Sequence, residues 1–162
     1  MPADSRAVAL VTGGGSGIGA AIGRRLATDY RVVICGRRAE PIQRLAAEIG
    51  GLALVCDLAD LQQARELPQR IIAQSGRLDA LVLNAGIVAP ASVAEMTLES
   101  WQAHLTVNLT SPFVLAQAAL PHLLERQGRV VGIASVAAHA TGMGLAAYSA
   151  SKAGLVRLIQ SL

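Results

Sequence analysis

The chain has 162 residues, of which 52% are hydrophobic, 15% are charged and only 2% are aromatic. This length predicts one domain over residues 1–162 with a sizeable core, and the low charge content excludes a disordered chain. A core with so few aromatics must be built from Val, Ile, Leu and Ala, which is typical of a buried parallel sheet. No apolar run reaches the roughly 18 residues of a membrane span. Residues 1–6 lack the layout of a signal peptide, so we expect a cytoplasmic protein that does not associate with membranes.

The net charge of +3 arises from 13 Arg and one Lys against 11 acidic residues. The arginines are scattered, and no basic run is interleaved with aromatics, so we do not expect a nucleic acid as partner. Cys35 and Cys56 each end an apolar run. We predict that both are buried free thiols, because their spacing fits neither a redox pair nor a metal site. We therefore expect no bound metal.

Apolar runs of strand length alternate with segments of helical period along the chain. In chain order the pattern predicts a strand over 7–11, a helix over 17–28, a strand over 31–35, a helix over 39–49, a strand over 52–56, a helix over 61–74, a strand over 80–83, a long helical region from 97 towards 126, a strand over 129–134 and a helix over 146–162. Pro68 predicts a break or a new start in the third helix, and Pro112 and Pro121 predict bends in the long helical region. The alternation predicts a three-layer, doubly wound α/β fold with a parallel sheet, whose ligands bind beyond the carboxyl ends of the strands.

A glycine-rich turn, TGGGSGIG at 12–19, follows the first predicted strand and begins the first helix. Glycines here let the backbone turn tightly and approach a pyrophosphate whose charge lies at the helix N-terminus; the alternative is a flexible loop. The T-G-x-x-x-G-x-G spacing resembles the short-chain dehydrogenase/reductase family and differs from the T-G-x-x-G-x-x-G of the related extended family. The resemblance covers residues 7–162 and implies a Rossmann fold. It also implies cofactor contacts from Gly13, Gly15, Ser16, Gly17, Ile18 and Gly19.

Two further segments follow the order of this family's motifs. Asp57 and Leu58 come after the third strand, where the family places an acidic residue that binds the adenine amino group. After the fourth strand the sequence LNAG at 83–86 is similar to the family's N-N-A-G, with Leu in place of the first Asn. This similarity implies cofactor contacts from Asn84, Ala85 and Gly86. Taken alone, Asn84 is better explained as a turn residue.

Tyr148 and Lys152 form a Y-x-x-x-K motif, and Ser135 lies at the end of the fifth apolar run. Positions i and i+4 of a helix share one face, so the phenol and the ammonium can occupy one site. A phenol is protonated at neutral pH, and a neighbouring ammonium favours its ionised form. Lys152 is the only lysine of the chain. The alternative is an ordinary exposed lysine beside a packing tyrosine.

The resemblance implies a role for each of four residues in a Ser-Tyr-Lys mechanism. Tyr148 exchanges a proton with the substrate oxygen, and Ser135 donates a hydrogen bond to that oxygen. Lys152 stabilises the phenolate and, like Tyr148, contacts the cofactor. Asn108 interrupts the long helix and anchors a water that relays protons to Lys152. Taken alone, Asn108 is equally consistent with a polar residue that faces solvent.

The residues after the second strand indicate which cofactor is bound. Gly36 occupies the position at which an acidic side chain would bind the ribose 2′-hydroxyl and select NAD. Arg37 follows it, and a guanidinium can bind a 2′-phosphate through two parallel hydrogen bonds. We therefore expect NADP rather than NAD. Arg37 is the first candidate to bind the 2′-phosphate and Arg38 the second, and Ser16 is expected to add a further contact.

These motifs predict an NADP-dependent oxidoreductase that acts on the CH–OH or carbonyl group of a small-molecule alcohol or ketone. Family members usually assemble as dimers or tetramers, so we expect a homo-oligomer. They also usually carry seven strands, of which we expect about five here, in a fold that is incomplete at the C-terminus. A second hypothesis therefore stays open: a truncated, catalytically inactive nucleotide-binding fragment or interaction module. We interpret His104 and His122 as structural or surface residues, and His139 and Met143 as candidate substrate contacts.

Overall fold

The computed structural model describes residues 6–140 and 142–162. Its strands within these residues are β1 (Ala7–Thr12), β2 (Tyr30–Gly36), β3 (Leu52–Val55), β4 (Ala80–Leu83) and β5 (Arg129–Gly132). They form one parallel sheet in the order β3-β2-β1-β4-β5. The predicted α/β fold with a parallel sheet is confirmed. Because the strand order reverses between β1 and β4, their carboxyl ends form the crevice in which such sheets bind ligands.

Helices pack on both faces of the sheet. The helices are α1 (Gly17–Leu26), α2 (Ala39–Ile49), α3 (Leu61–Ser75), α4 (Leu98–Leu105), α5 (Ser111–Glu125) and α6 (Ala146–Gln160). Side chains of α1 and α2 share one apolar cluster with the sheet, and side chains of α3, α5 and α6 share another. Among the described residues, no helix combines the length and the apolar character that crossing a membrane requires.

The core is built from aliphatic side chains, as the composition predicts. Successive residues of a strand point to opposite faces, so Val8 and Leu10 of β1 pack on the α3 and α5 side while Val11 packs on the α1 and α2 side. Cys35 and Cys56 are buried free thiols, as expected. Burial raises the pKa of Cys35 to about 12 and that of Cys56 to about 11. Both thiols are therefore protonated at neutral pH and act as small apolar groups.

The proline residues have less effect on the helices than the sequence pattern predicts. The predicted break at Pro68 is wrong, because α3 runs unbroken through it with Ala64, Leu67 and Ile71 buried on the same side. Their burial offsets the hydrogen bond that a proline removes. The long helical region is interrupted by a π-helical turn at Thr106–Thr110, before α5 begins with Pro112 in its first turn. Pro112 thus lies directly after the interruption, at the start of α5.

Asp79 joins the amino ends of three strands. Its carboxylate accepts hydrogen bonds from the Val8 backbone N–H at 2.7 Å and from Arg77 Nε and Nη2 at 2.8 and 2.6 Å. Its backbone carbonyl accepts from the Arg129 N–H at 3.0 Å. Burial opposes ionisation, but the hydrogen bonds and the charge of Arg77 outweigh it, so the pKa of Asp79 is lowered. The carboxylate therefore stabilises the fold above the ordinary carboxyl range, and this stabilisation is lost as the pH falls through its lowered pKa.

We predict that Asp79→Ala lowers the free energy of unfolding by about 1–3 kcal/mol, because the buried Val8 N–H loses its acceptor. Urea denaturation at neutral pH measures this loss. The variant should also show a weaker decline in stability on acidification. Glu48→Ala is the control. Glu48 forms an ion pair with Arg24 in which both side chains are about half exposed, so the pair contributes little to stability. Equal losses in the two variants would contradict the account.

Candidate functional site

The glycine-rich turn brings its backbone close to the loop after β4. Gly13 has φ of +64°, a left-handed conformation that favours glycine. A Cβ added at Gly19 would collide with the Gly13 carbonyl oxygen and would lie 2.5 Å from Asn84 Nδ2. Ser16 is the N-cap of α1, and its side chain makes no capping hydrogen bond. The first turn of α1 therefore presents backbone N–H groups that the Ser16 hydroxyl does not use.

Thr12 links this turn to β4 and to the segment that follows it. Its hydroxyl donates to the Val82 carbonyl at 3.1 Å and accepts from the backbone N–H groups of Asn84 and Ala85 at 2.9 and 3.0 Å. Asn84 Nδ2 in turn donates to the Thr12 carbonyl at 2.8 Å. We did not predict this role for Thr12; the available signal was a polar residue that ends an otherwise apolar strand. The contacts fix the carboxyl ends of β1 and β4 relative to each other.

A cavity of about 450 Å³ runs along the carboxyl ends of the strands. Ten of the predicted cofactor-binding residues line it: Gly13, Gly15, Ser16, Arg37, Arg38, Asp57, Leu58, Asn84, Ala85 and Gly86. Besides Gly36, it is also lined by residues that the motifs did not single out: Pro41, Ile42, Cys56, Ala59, Ile87 and Val107. These are mostly apolar residues next to motif residues. The cavity lining does not include Gly17, Ile18, Gly19, Tyr148 or Lys152.

The part of the cavity beyond the neighbouring strands β2 and β3 is lined by two arginines and one aspartate. Arg37 and Arg38 follow β2 and are exposed. Asp57 is half-buried, and its Oδ1 accepts from the Ala59 backbone N–H at 3.0 Å. The Asp57 backbone N–H donates to Gln63 Oε1 at 3.0 Å, which ties this loop to α3. These two contacts hold the loop in place, and of the two carboxylate oxygens of Asp57 they use Oδ1 and not Oδ2.

Asn108 lies within the π-helical turn and is fully buried. Its Oδ1 accepts from the Ile87 N–H at 2.8 Å, and its Nδ2 donates to the Ile87 carbonyl at 2.9 Å and to Ser151 Oγ at 3.0 Å. The interpretation as a solvent-facing residue is therefore wrong. The interruption of the helix at this position agrees with the expectation from the resemblance. Ser151 also donates to the Tyr148 carbonyl at 2.7 Å, so this serine joins the π-helical turn to α6.

Lys152 is buried on α6, so the alternative of an exposed lysine is wrong. Its Nζ donates to the Ile133 carbonyl at 2.8 Å and lies 5.9 Å from the centroid of the Tyr148 ring. Burial lowers the pKa of Lys152 from its ordinary value. A Cβ added at Gly86 would lie 3.2 Å from Asn108 Oδ1 and 3.4 Å from Lys152 Nζ. Gly86 thus lies where the cavity meets the polar groups of Asn108 and Lys152.

Ser135 follows β5 and is the N-cap of a short 3-10 turn, where its Oγ accepts from the Ala137 N–H at 3.2 Å. His139 and Met143 are both exposed beyond it. His104 is buried and hydrogen-bonded, which agrees with a structural role, and His122 is half-buried on α5. Tyr148 is half-buried in the first turn of α6.

A parallel sheet, a glycine-rich turn before α1 and a cavity along the carboxyl ends of the strands together define a nucleotide-binding α/β protein. A family model described as short chain dehydrogenase matches residues 7–162. The chain belongs to the short-chain dehydrogenase family.

Known proteins of this family are similar to the chain over nearly all of its length. It is 38% identical to D-threitol dehydrogenase of Mycolicibacterium smegmatis over 156 residues, which cover 92% of this chain and 60% of that protein. It is 34% identical to the 3-oxoacyl-(acyl-carrier-protein) reductase FabG of Thermotoga maritima over 161 residues, 95% of this chain and 65% of that protein. A short chain dehydrogenase from Burkholderia cenocepacia, solved in complex with NADP, is 40% identical with a TM-score of 0.88, covering 94% of this chain and 65% of that one. The chain therefore spans less than two thirds of the length of each of these three relatives.

We predict that Gly19→Ala destabilises the fold by about 1–3 kcal/mol, the usual cost of inserting a methyl group into a filled space. The added Cβ meets the Gly13 carbonyl and Asn84 Nδ2. Asn84 Nδ2 donates to both the Thr12 and the Gly13 carbonyls, so moving it away would break these hydrogen bonds. Thermal and urea denaturation measure the loss. Ala21→Ser, on the exposed side of the same helix, is the control and should change stability by less than about 0.5 kcal/mol. A Gly19→Ala variant as stable as this control would show that the turn is looser than described.

Proposed function

We propose that this chain is the cofactor-binding and catalytic part of an oxidoreductase that transfers a hydride between NADP(H) and a small-molecule alcohol or carbonyl compound. The observation that carries the proposal is the buried Lys152 ammonium beside the Tyr148 ring, next to the cavity at Gly86. Family membership and relatives that are dehydrogenases and reductases support it. We further propose that residues 1–162 form one domain and that the protein assembles as a homo-oligomer.

The residues around the cavity fit a dinucleotide. Gly13 and Gly19 leave room at the turn that a Cβ would fill, and the start of α1 offers backbone N–H groups to a pyrophosphate. Asp57 and Leu58 would hold the adenine end, and Gly86 lies at the opposite end beside Lys152. The remaining proposed contacts are Gly15, Ser16, Gly17, Ile18, Asn84, Ala85, Tyr148 and Lys152. A bound nicotinamide supplies or accepts the hydride, and the protein supplies position and charge.

NADP is proposed ahead of NAD because of the last residue of β2 and the two residues that follow it. Gly36 offers no carboxylate to a ribose 2′-hydroxyl, and it lines the cavity together with Arg37 and Arg38. Both arginines are exposed and can reach a 2′-phosphate, which a guanidinium binds well. Ser16, which also lines the cavity, is a further donor. The relative from Burkholderia cenocepacia was solved with NADP, which supports the same choice.

The proposed chemistry assigns proton transfer to Tyr148. The Lys152 ammonium lies 5.9 Å from the centroid of its ring. In reduction the protonated phenol would give its proton to the carbonyl oxygen, and in oxidation the phenolate would take one from the alcohol. Ser135 donates a hydrogen bond to the same oxygen and orients it. Both N–H groups of the Asn108 amide are engaged by Ile87 and Ser151, so a relay water would be held by an oxygen of Asn108.

We predict that Tyr148→Phe lowers kcat by at least about 10²-fold, since general acid–base catalysis contributes this much or more. NADPH affinity should change by less than a few-fold. Tyr30→Phe is the matched control: Tyr30 lies on β2, remote from Lys152, and its variant should keep full turnover. Steady-state kinetics and a binding titration on the full-length protein check both. Turnover by Tyr148→Phe at the wild-type rate would refute the assignment.

Arg37→Ala is expected to weaken NADP binding by about 10- to 100-fold, which is the affinity that a pair of charge-assisted hydrogen bonds contributes. The affinity for NAD should stay unchanged. Arg38→Ala should show a smaller loss. Arg44→Ala, an exposed arginine on α2, serves as control. Calorimetric titration with both cofactors gives the two dissociation constants for each protein. Tighter binding of NAD than NADP by the wild type would overturn the cofactor assignment.

A further inference from the structure

His104 is a buried histidine with both ring nitrogens in hydrogen bonds. It lies on α4 with 1% of its surface exposed. Its Nδ1 is 2.7 Å from the Ser100 carbonyl oxygen, and its Nε2 is 3.0 Å from the Ala89 backbone nitrogen. A carbonyl only accepts and a backbone N–H only donates, so Nδ1 must carry the proton and Nε2 must be the acceptor. The surroundings therefore select the neutral ring and one of its two tautomers.

The partner of His104 belongs to the segment 86–91, which leads from the cavity towards the turn before α6. Every second residue of this segment, from Ile87 to Ala91, is hydrogen-bonded to a different part of the chain. Ile87 binds the Asn108 amide in the π-helical turn, Ala89 binds His104 on α4, and the Ala91 N–H donates to the Gly144 carbonyl at 3.0 Å. Ile87 lines the cavity, and Gly144 comes just before the helix that carries Tyr148.

The residues between these contacts contribute little packing. Val88 has 56% of its surface exposed, and Pro90 is exposed as well. A segment with so few buried side chains is positioned mainly by its backbone hydrogen bonds. Without an acceptor at Nε2, the Ala89 N–H loses its partner and the segment is free to move between Ile87 and Ala91. A displacement on the order of 1 Å near reacting groups is enough to cost about 10²-fold in rate.

We propose that His104 is a positioning residue of the oxidoreductase site: through the acceptor Nε2 it fixes Ala89 and so the path of the segment 86–91 between the cofactor cavity and the turn before Tyr148. The inference rests on the proposed function for its catalytic consequence. Its structural part, the Nδ1–H tautomer that binds Ala89, stands independently of turnover.

Two substitutions separate the two hydrogen bonds of the ring. His104→Gln places an amide oxygen near the position of Nε2 and keeps an acceptor for Ala89. His104→Asn places its amide near the position of Nδ1, so it retains a donor for the Ser100 carbonyl but does not reach Ala89. We expect kcat of the full-length enzyme to fall about tenfold or more in His104→Asn and less than about threefold in His104→Gln. The dissociation constant for NADP should stay within about twofold in both, because the phosphate-binding turn and Arg37 are untouched.

His122→Asn on α5 is the control for loss of a histidine and should keep the wild-type kcat. Equal losses of kcat in His104→Asn and His104→Gln would overturn the proposal, since the acceptor would then be irrelevant. An unchanged kcat in His104→Asn would overturn it as well. A parallel rise in the NADP dissociation constant and fall in kcat would indicate general disruption rather than positioning, and would also count against it.

A second measurement applies even if a variant folds poorly or the wild type shows no turnover. Nitrogen NMR of the wild-type ring should show a protonated Nδ1 and an unprotonated Nε2, and the Ala89 amide should be protected from hydrogen exchange. Protection should be retained in His104→Gln and lost in His104→Asn. An Nε2–H tautomer or an unprotected Ala89 amide in the wild type would refute the inference. Absence of turnover with these NMR results intact would refute the proposed function instead.

Discussion

The burial of one ammonium group is the constraint on which the candidate site depends. A buried charge needs polar partners, and one partner of Lys152 is the carbonyl of Ile133, the residue just after β5. This contact holds α6 against the carboxyl edge of the sheet and keeps the Tyr148 ring 5.9 Å from Nζ. It also places the ammonium beside Gly86, 3.4 Å from the position that a Cβ would take there. The proposed acid–base chemistry is therefore a consequence of how one charge is accommodated in the fold.

The rest of the site connects this charge to the glycine-rich turn. Thr12 joins the carboxyl ends of β1 and β4 by three hydrogen bonds of its hydroxyl. From there the chain passes along the cavity through Gly86 to Ile87, which Asn108 holds. The proposed phosphate-binding end and the proposed catalytic end are thus parts of one hydrogen-bonded edge of the sheet. Such a fixed edge suits a reaction in which the protein contributes mainly orientation and electrostatic stabilisation.

Much of this arrangement could be predicted from the sequence because its signals are local. The alternation of apolar runs predicts the parallel sheet, and the spacing of Tyr148 and Lys152 predicts a shared helix face. The contacts of Thr12 and His104 could not be predicted, because their partners are backbone groups remote in sequence, up to 73 residues away for Thr12. The break predicted at Pro68 was wrong for a related reason: burial of its neighbours, which a local pattern does not reveal, offsets the lost hydrogen bond.

Oxidation of NADPH by the full-length protein is the most direct test of the central claim that this cavity and the Lys152–Tyr148 pair form one reductase site. The purified protein is mixed with NADPH and a panel of ketones, and the loss of the reduced nicotinamide absorbance is compared with the alcohol formed. If the cavity and the pair form one reductase site, the two amounts should be equal for at least one ketone, and the reverse reaction should proceed with NADP and the corresponding alcohol. Tight binding of NADPH with no oxidation by any ketone would contradict it and would favour a nucleotide-binding protein without catalytic activity.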